Sequence, residues 1–243
     1  GPAFGLWRAR VRSRRGAAAT DPRRRLAADA EGKITAVDMQ VLFDAGAYYS
    51  RVAPFIPTFT ALMMTGVYTI PNIRAHIKAA FTNKLNSEPY RGAGRPEAIF
   101  MIERAVNALA AKTGIDPAEL RRRNFIPPEQ FPYKSPTGAV YDSGEYERAL
   151  DKLLETAGYS DLRKAQEKSR QNGGKLIGIG LSAYVEVCGF GPFEMGSVTM
   201  GEDGKVTVLT GTSPHGQGHH TAWSQIAADI LQIPMEDVTV IHG

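Results

Sequence analysis

The chain has 243 residues, of which 43% are hydrophobic, so it can bury a substantial core and is not disordered. The net charge of +4 is uneven, because residues 1–25 hold eight arginines and one acid, a balance of +7. The remainder carries +4 minus +7, or −3, which supports no basic face for nucleic acid. No run approaches the roughly 20 apolar residues that cross a bilayer. The single cysteine, Cys188, allows neither a disulfide nor a cysteine cluster, so we expect a cytoplasmic protein without a membrane span.

The arginine-rich start has no clear functional pattern. A basic arm or an organelle transit peptide would show a sustained amphipathic period or a serine-rich composition, and residues 6–25 show neither. After residue 32, alternating apolar residues predict two strands, one over residues 37–43 and one over residues 73–81. Prolines and Gly66 break the stretch between these strands into loops or short helices.

The first glycine-rich motif, Tyr-Arg-Gly-Ala-Gly-Arg, occupies residues 90–95. The apolar residues that follow have the spacing of a helix packed on one face, from Ala98 to Leu109. Pro96 suits the first helical turn, and Glu97 suits the positive end of the helix. The motif is therefore predicted to lie in a loop that opens a helix.

The middle of the chain alternates helices and loops. Asp116 is predicted to cap a short helix that ends near residue 124, and the proline- and glycine-rich residues 125–144 are predicted to link two halves. Ser143 is the predicted cap of the next helix, and a charged helix follows over residues 160–171.

The second half contains predicted strands. They cover residues 176–187, a hairpin over residues 197–210 with an Asp-Gly turn, and residues 238–241. Hairpins and helices without regular strand-helix alternation indicate the α+β class rather than a doubly wound sheet.

The second glycine-rich motif is His-Gly-Gln-Gly-His-His-Thr at residues 215–221. It precedes another amphipathic helix, for which Thr221 is the predicted cap and which Pro234 closes. Glycines let backbone N–H groups approach a bulky ligand, and helix starts carry partial positive charge. Both motifs therefore suit an anionic cofactor, although two simple tight turns would give the same local pattern.

With these motifs placed, the chain resembles the molybdenum-binding large subunit of the xanthine dehydrogenase, aldehyde oxidase and carbon monoxide dehydrogenase family. The residues that carry the resemblance are the loop at 89–98, the helix at 119–125 and the Gly-Gln-Gly-His motif at 216–219. The resemblance covers residues 26–243. It implies two α+β cofactor-binding domains, here residues 26–130 and residues 131–243, the second of them truncated, after an anomalous segment at 1–25.

The resemblance also implies a cofactor and a chemistry. The cofactor is molybdopterin with molybdenum, in bacteria usually the cytosine dinucleotide form, while FAD and 2Fe-2S clusters lie on partner subunits of a hetero-oligomer. The reaction is hydroxylation of a small molecule, an aldehyde or an N-heterocycle, with water as the oxygen source. A catalytic glutamate is expected beyond Gly243.

Individual residues receive roles by the same resemblance. Arg91 is the catalytic cation beside the metal, and Phe4 flanks the substrate. The cofactor is expected to contact both loops, at Gly92, Ala93, Gly94, Gly216, Gln217 and Gly218. Arg95 fits either a cofactor role or a salt bridge to Glu97 or elsewhere. We assign no protein ligand to the metal.

Several positions depart from the family pattern. Gly92 replaces the cysteine that binds copper in the carbon-monoxide-oxidising branch, so that reaction is not expected, and Ala93 replaces a larger aromatic residue of purine-oxidising relatives. Glu186 and Glu194 do not match the context of the family's glutamate base. Residues 6–25 match nothing in the family, and a frameshifted or misassembled gene stretch would explain them.

Two alternatives stay open from the sequence. Three histidines, His215, His219 and His220, could bind the metal of a hydrolase, although the glycines around Gln217 favour a loop and no carboxylate has the required spacing. The second alternative is a non-catalytic fragment or interaction module of a large subunit.

Overall fold

A computed structural model of the chain describes residues 5–10, 23–50, 52–187 and 193–242. Phe4, Cys188 and residues 11–22 of the arginine-rich segment lie outside these ranges. The chain divides into two compact units, Gly1–Glu186 and Val187–Gly243.

The first unit is built on a sheet of four strands in the order β1-β2-β3-β4. These strands are β1 (Gly5–Arg10), β2 (Arg23–Ala28), β3 (Ile34–Gly46) and β4 (Asn72–Phe81). The β1–β2 and β2–β3 pairs are antiparallel, and the β3–β4 pair is parallel. A parallel pair needs a crossover, and helix α1 (Phe55–Leu62) lies in this connection. Both strands predicted by alternation are confirmed, with Val37, Met39 and Val41 buried on one face of β3.

Helix α2 (Arg95–Thr113) packs against this sheet and confirms the helix predicted after the first glycine motif. Its buried residues recur at spacings of three and four, among them Ala98, Ile102, Val106 and Leu109. These side chains meet the apolar face of the strands in one core cluster. Helix α3 (Pro117–Asn124) packs on α2.

The rest of the first unit is a hairpin and two helices: β5 (Tyr133–Lys134), β6 (Val140–Tyr141), α4 (Tyr146–Thr156) and α5 (Tyr159–Gln171). The Tyr141 hydroxyl donates to the Gly66 carbonyl at 3.0 Å, so the hairpin is fixed to the region after α1. The segment predicted as a linker is thus part of the first compact unit. The boundary between cofactor-binding domains at residue 130 stays a prediction.

Two of the predicted helix caps differ in outcome. The Asp116 carboxylate accepts from the amides of Ala118 at 2.8 Å and Glu119 at 3.3 Å, which confirms this cap. The prediction for Ser143 is wrong, because α4 begins at Tyr146, three residues later, and has no side-chain cap. The residues after β6 stay out of the helix.

A buried ion pair joins α2 to α3. Glu103 is 4% exposed and Arg121 is fully buried. The Glu103 Oε2 atom accepts from Arg121 Nη2 at 2.7 Å and from Arg121 Nε at 3.0 Å. The Tyr68 hydroxyl donates to the other carboxylate oxygen. Burial, with a further contribution from the Glu103 charge, raises the pKa of Tyr68 well above its usual value.

Residues 176–187 correct a prediction. The alternation is present, since Leu181, Ala183 and Val185 pack against the core, but these residues form no strand within the described chain. Their backbone groups bond instead to the buried pair. The Leu181 carbonyl accepts from Arg121 Nη2 at 2.8 Å, and the Ala183 amide donates to Glu103 Oε2 at 2.9 Å. The period of two predicted which side chains of this segment pack against the core but not the hydrogen-bond partners of its backbone.

The motif at 119–125 also has a structural role. Asn124 Oδ1 accepts from the Ile34 amide at 2.7 Å, while Nδ2 donates to the Gly32 carbonyl at 2.9 Å, so this amide fixes the start of β3. Phe125 stacks on Tyr68 with ring centroids 5.9 Å apart. The helix motif at 119–125, one of the three features of the resemblance, therefore organises the core of the first unit.

The second unit is a three-stranded sheet with one helix: β7 (Gly196–Met200), β8 (Val206–Thr210), α6 (His219–Leu231) and β9 (Val238–His242). The predicted hairpin is confirmed by the antiparallel pairing of β7 with β8, and α6 forms the crossover to the parallel strand β9. Val206, Ala227 and Val240 are part of a small core between helix and sheet. Both units mix helices with small sheets, as the predicted α+β class requires.

Within the described ranges, no helix has both the length and the apolar character that a bilayer crossing requires.

The buried pair leads to a stability prediction. We expect Glu103→Gln to lower the free energy of unfolding by about 3–5 kcal/mol, because the Arg121 charge would stay buried without its counter-ion. Urea unfolding of the chain, followed by circular dichroism, measures this loss. Arg123→Gln is the control, since Arg123 is partly exposed and its pair with Glu119 contributes at most about 1 kcal/mol. Equal losses in the two variants would contradict the prediction.

Candidate functional site

The arginine loop, residues 90–95, is a tight turn that opens α2. Gly92, Ala93 and Gly94 all have positive φ, at 108°, 21° and 90°. The amide of Ala93 donates to the Tyr90 carbonyl at 2.8 Å, and the Arg95 amide donates to the Gly92 carbonyl at 3.0 Å. The positive φ of Ala93 is unusual for a residue with a side chain, so the loop holds a strained and specific shape.

Gly94 is required by close packing against α1. A Cβ atom at this position would lie 2.0 Å from the carbonyl oxygen of Ile56. The hydroxyl of Thr60 lies 2.9 Å from that oxygen and 3.0 Å from the Gly94 carbonyl oxygen, so its proton is shared between them. The Thr60 hydroxyl therefore links the loop backbone at Gly94 to the helix α1.

Ala93 anchors the other side of the loop. It packs against a small buried cluster of Phe43, Ala45 and Ile56, which joins the end of β3 to α1. Arg91 lies between this anchor and Tyr90 and is exposed. The catalytic position predicted from the resemblance is thus on the surface of the first unit, on a loop whose backbone is held at both sides.

Arg95 forms an ion pair, one of the two roles that the sequence left open. It is 9% exposed, and its Nε lies 2.5 Å from Glu186 Oε1. Its guanidinium carbon lies 5.1 Å from the centroid of the Phe59 ring, which adds a cation–π contact. The partner is Glu186 and not Glu97. Glu186, which we did not expect to act as the base, is thus an ion-pair partner.

Glu97 lies in the first turn of α2 and has a different environment. Its Oε2 atom is buried and has no hydrogen-bond partner among the described residues. A buried acceptor without a donor costs about 1–3 kcal/mol. The site beside the arginine loop therefore has an acceptor that a bound group could satisfy.

Asp44 braces the chain that leads to the loop. Its Oδ1 accepts from the Thr82 hydroxyl at 2.5 Å and from the Gly46 amide at 3.1 Å, and its Oδ2 pairs with Lys84. These hydrogen bonds, first from Lys84 and then from Thr82, lower the pKa of Asp44 to about 2. The Asp44 carbonyl also accepts from the Ser87 hydroxyl at 2.6 Å. The end of β3 is thereby tied to the segment before the arginine loop.

The glutamine loop, residues 215–218, opens α6 in the second unit. Gly216 and Gly218 have positive φ, at 101° and 72°, and Gly218 is the residue before the helix. Gln217 folds back, so that its Oε1 accepts from the His215 amide and its NH₂ group is left to donate. The prediction that Thr221 caps the helix is wrong, because α6 starts two residues earlier at His219 and has no side-chain cap.

Two polar ring atoms near this loop are buried without a partner. His219 Nδ1 and Trp223 Nε1 make no hydrogen bond to any described residue. The residues are four apart on α6, and their ring centroids are 5.5 Å apart. Buried polar atoms are normally satisfied, so the start of α6 is chemically incomplete without a further group.

The histidines do not form a metal centre. No group of three His, Cys, Asp or Glu residues that could hold a metal occurs in the part of the chain that the structure describes. His215 Nδ1 lies 3.0 Å from the Ser213 carbonyl oxygen, and the rings of His220 and His242 are 5.0 Å apart. These contacts give the hydrolase alternative no support.

Sequence reasoning missed the residues that support the arginine loop. Neither Asp44 nor Thr60 had an assigned role, because their partners Thr82 and Gly94 lie 38 and 34 residues away. The two loops themselves were found, and they lie in different compact units. Thr60 is one of two threonines in α1, with Thr58, so its polarity alone did not mark it in the sequence.

Each of the two glycine loops opens a helix in an α+β unit, and comparison with known proteins identifies the class of protein to which they belong. Family models of the molybdopterin cofactor-binding domain match residues 10–125 and 152–243. The first match begins inside the segment that we expected to match nothing, so the departure from the family is narrower than expected.

The relatives specify the family. The chain is 37% identical over 238 residues to the carbon monoxide dehydrogenase large chain of Afipia carboxidovorans. The matched region covers 90% of this chain and 29% of that protein. The chain is 35% identical over 223 residues to subunit gamma of the 6-hydroxypseudooxynicotine dehydrogenase complex of Paenarthrobacter nicotinovorans, with 90% and 28% covered. The crystal structure of quinoline 2-oxidoreductase from Pseudomonas putida 86 superposes with a TM-score of 0.82 at 31% identity, over 93% of this chain and 30% of that one.

The chain therefore belongs to the molybdopterin-binding large-subunit family of the xanthine dehydrogenases, aldehyde oxidases and carbon monoxide dehydrogenases. It spans about 30% of the length of the relatives that it matches.

The packing of the arginine loop can be tested at Gly94. We expect Gly94→Ala to destabilise the chain by more than about 2 kcal/mol, because the added methyl group would overlap the Ile56 carbonyl oxygen. Gly114→Ala is the matched control, since Gly114 also has a positive φ but open space at its Cβ position. It should lose only about 1–2 kcal/mol of backbone strain. Urea unfolding compares the two, and a smaller loss in Gly94→Ala would contradict the packing.

The bracing role of Asp44 predicts a dependence on pH. Its pKa in the folded chain, about 2, lies below the ordinary value of 3.8. The stabilisation is therefore complete above that ordinary value and is lost as the pH falls towards about 2. We expect Asp44→Asn to lack this part of the acid destabilisation in urea unfolding measured across that range. Asp229→Asn, an exposed change on α6, should keep the wild-type pH dependence. An unchanged acid loss in Asp44→Asn would disprove the assignment.

Proposed function

We propose that this chain forms part of the large subunit of a molybdenum-dependent enzyme that hydroxylates an aldehyde or an N-heterocycle, with water as the oxygen source. The observation that carries the proposal is the pair of glycine loops, each at the start of a helix and each within a region matched by the molybdopterin-binding family. We further propose that the two loops contact one cofactor.

The residues of the glutamine loop fit such a cofactor. At the uncapped start of α6 the first backbone N–H groups are available to an anion. The Gln217 amide group and the buried Trp223 Nε1 are further donors, and His219 Nδ1 can donate or accept depending on its tautomer. This donor-rich set suits the phosphate and pterin groups of molybdopterin. Gly218 leaves open space where a side chain would project.

The residues of the arginine loop also fit a contact with the cofactor. We propose that Gly92, Ala93 and Gly94 approach the cofactor through their backbone, because positive φ and close packing give them a fixed shape. The unpaired Glu97 oxygen can accept from a donor on the bound group. Gly216, on the second loop, completes the proposed contacts.

When bound, the molybdenum cofactor supplies the oxygen-transfer and two-electron redox chemistry of the reaction. In the proposed mechanism Arg91 acts as a fixed cation that stabilises negative charge developing on an oxygen of the substrate. The loop contributes by holding the Arg91 backbone before the substrate binds, so that little reorganisation is needed during the reaction.

The residues around Arg91 favour an organic substrate. Gly92 carries no thiol, so the loop has no ligand for the copper that the resemblance associates with carbon monoxide oxidation. By the same resemblance, Ala93 replaces the larger aromatic residue of purine-oxidising relatives, which does not favour a purine. We therefore propose an aldehyde or N-heterocycle rather than carbon monoxide, although the matched relatives include carbon monoxide dehydrogenases.

Partner subunits are part of the proposal. The chain has one cysteine, so it cannot by itself hold a 2Fe-2S cluster with cysteine ligands. We propose that separate iron–sulfur and FAD subunits receive the electrons in a cytoplasmic hetero-oligomer, and that the cofactor is the cytosine dinucleotide form. Names such as large chain and subunit gamma among the relatives support a multi-subunit assembly.

The test uses the complete large subunit that contains this chain, assembled with its partner subunits. We expect Arg91→Met to keep its molybdenum and pterin content but to lose about 100- to 1,000-fold in kcat, the usual loss when a group that stabilises transition-state charge is removed. Gln217→Ala should instead lose pterin. Metal analysis, pterin fluorescence and oxidation of aldehydes or N-heterocycles with a dye acceptor measure these effects.

The control is Gln171→Ala on the surface of α5, which should resemble the wild type in all three measurements. Wild-type protein without molybdenum or turnover would favour the non-catalytic alternative. A Gln217→Ala variant with full pterin content would contradict the assignment of the second loop.

A further inference from the structure

The residue that starts α2 is unusual for its position. Arg95 is the first residue of the helix, where the backbone dipole favours negative rather than positive side chains. It is also 9% exposed, so its charge is largely removed from water. Helix stability alone does not explain a buried cation at this point. Among the described residues, the Glu186 carboxylate at 2.5 Å and the ring of Phe59 at 5.1 Å help to compensate for both costs.

We propose that Arg95 and Glu186 are positioning residues that fix the arginine loop and thereby orient Arg91. The proposal rests on the proposed function of Arg91 and adds residues to which the family resemblance gave no definite role. Neither residue is assigned a contact with the substrate.

The ion pair connects the loop to a rigid part of the core. Glu186 ends an extended segment whose Leu181 and Ala183 backbone groups bond to the buried Glu103–Arg121 pair. Glu186 therefore lies only three residues after Ala183, whose amide is fixed by the buried Glu103 carboxylate. Arg95 transmits this position to the loop, because it directly follows Gly94 in the chain.

The pair adds a restraint that the other contacts do not provide. Thr60 and the cluster around Ala93 hold the loop backbone to α1 and to the end of β3. Glu186 holds it from the segment after α5. With restraints from both sides, the loop can keep the positive φ of Ala93 and a single direction for Arg91.

A positioning role and a merely structural ion pair predict different results. Arg95→Gln removes the buried charge together with the pair, whereas Glu186→Gln leaves the Arg95 charge with less compensation and is expected to lower global stability. We expect both variants to loosen the arginine loop, and Arg95→Gln to do so with the smaller change in melting temperature. The amides of Ala93 and Arg95, which donate within the loop, report this loosening directly.

The experiment is a double-mutant cycle with Arg95→Gln, Glu186→Gln and both changes together. Hydrogen exchange is followed in the peptide that covers the arginine loop. We expect each single variant to exchange faster by about tenfold, which corresponds to about 1.4 kcal/mol of local opening. The double variant should exchange no faster than Arg95→Gln alone, because the ion pair is already lost in that variant. The exposed pair Glu145 and Arg148 on α4 provides the control cycle, and glutamine at these positions should leave the loop unchanged.

The second measurement is made on the complete, molybdenum-loaded complex. We expect kcat to fall by about 10- to 100-fold in Arg95→Gln and Glu186→Gln with little change in KM, as for a misplaced catalytic group. The exchanged pair Arg95→Glu with Glu186→Arg should recover part of the loop protection, since it restores the attraction and places an acid at the helix start.

The outcomes separate the two proposals. Unchanged loop exchange in the single variants, or additive effects in the double variant, would overturn the positioning role whatever the complex does. Faster exchange with unchanged kcat would also overturn it. A wild-type complex that binds no molybdenum would overturn the proposed function, while the exchange measurements would still decide whether the pair fixes the loop.

Discussion

The buried Glu103–Arg121 pair is the constraint on which the first unit depends. Its importance lies in the backbone groups that it satisfies rather than in the attraction between the two charges, since apolar residues often replace a buried pair without loss of stability. Here an apolar replacement would leave the Leu181 carbonyl and the Ala183 amide without partners. The extended segment after α5 could then not remain against the core. The pair therefore supplies hydrogen bonds to the backbone of this segment, which a neighbouring strand would supply in a sheet.

This arrangement connects the core to the candidate site. The segment fixed by the pair ends at Glu186, which binds Arg95 at the start of α2. The motif that supplies Arg121 also supplies Asn124, which fixes the start of β3. A motif that resembles part of the family signature thus acts at a distance from the loop and determines the framework that supports it.

The sequence was sufficient where local rules determine the structure. The apolar period after residue 95 predicted α2, the Asp-Gly turn predicted the β7–β8 hairpin, and Asp116 was identified as a cap. Each of these features depends on residues close together in the chain. The same applies to the two glycine loops, which are short and carry their own signal.

Features that depend on distant partners were not predictable in this way. Residues 176–187 have the alternation of a strand, but their partners are side chains 60 and 80 residues away. Ser143 and Thr221 are good capping residues, yet α4 begins at Tyr146 and α6 begins at His219, after Gly218 in a left-handed conformation. A local pattern states what a residue can do, while packing decides which of these options it adopts.

The exceptions to local rules indicate function independently of any relative. Helix ends away from the glycine loops follow the usual chemistry, with Asp116 before α3 and Gly114 in a left-handed conformation after α2. At the loops the rules fail together: Ala93 has a positive φ, Arg95 places a cation at a helix start, and the buried Nδ1 atom of His219 has no hydrogen-bond partner among the described residues. Such costs persist in a protein only where something compensates for them, and they concentrate at functional sites. Ion pairing compensates for Arg95 within the chain. The buried Nδ1 atom of His219 has no hydrogen-bond partner among the described residues. A bound group is the simplest source of the missing hydrogen bond.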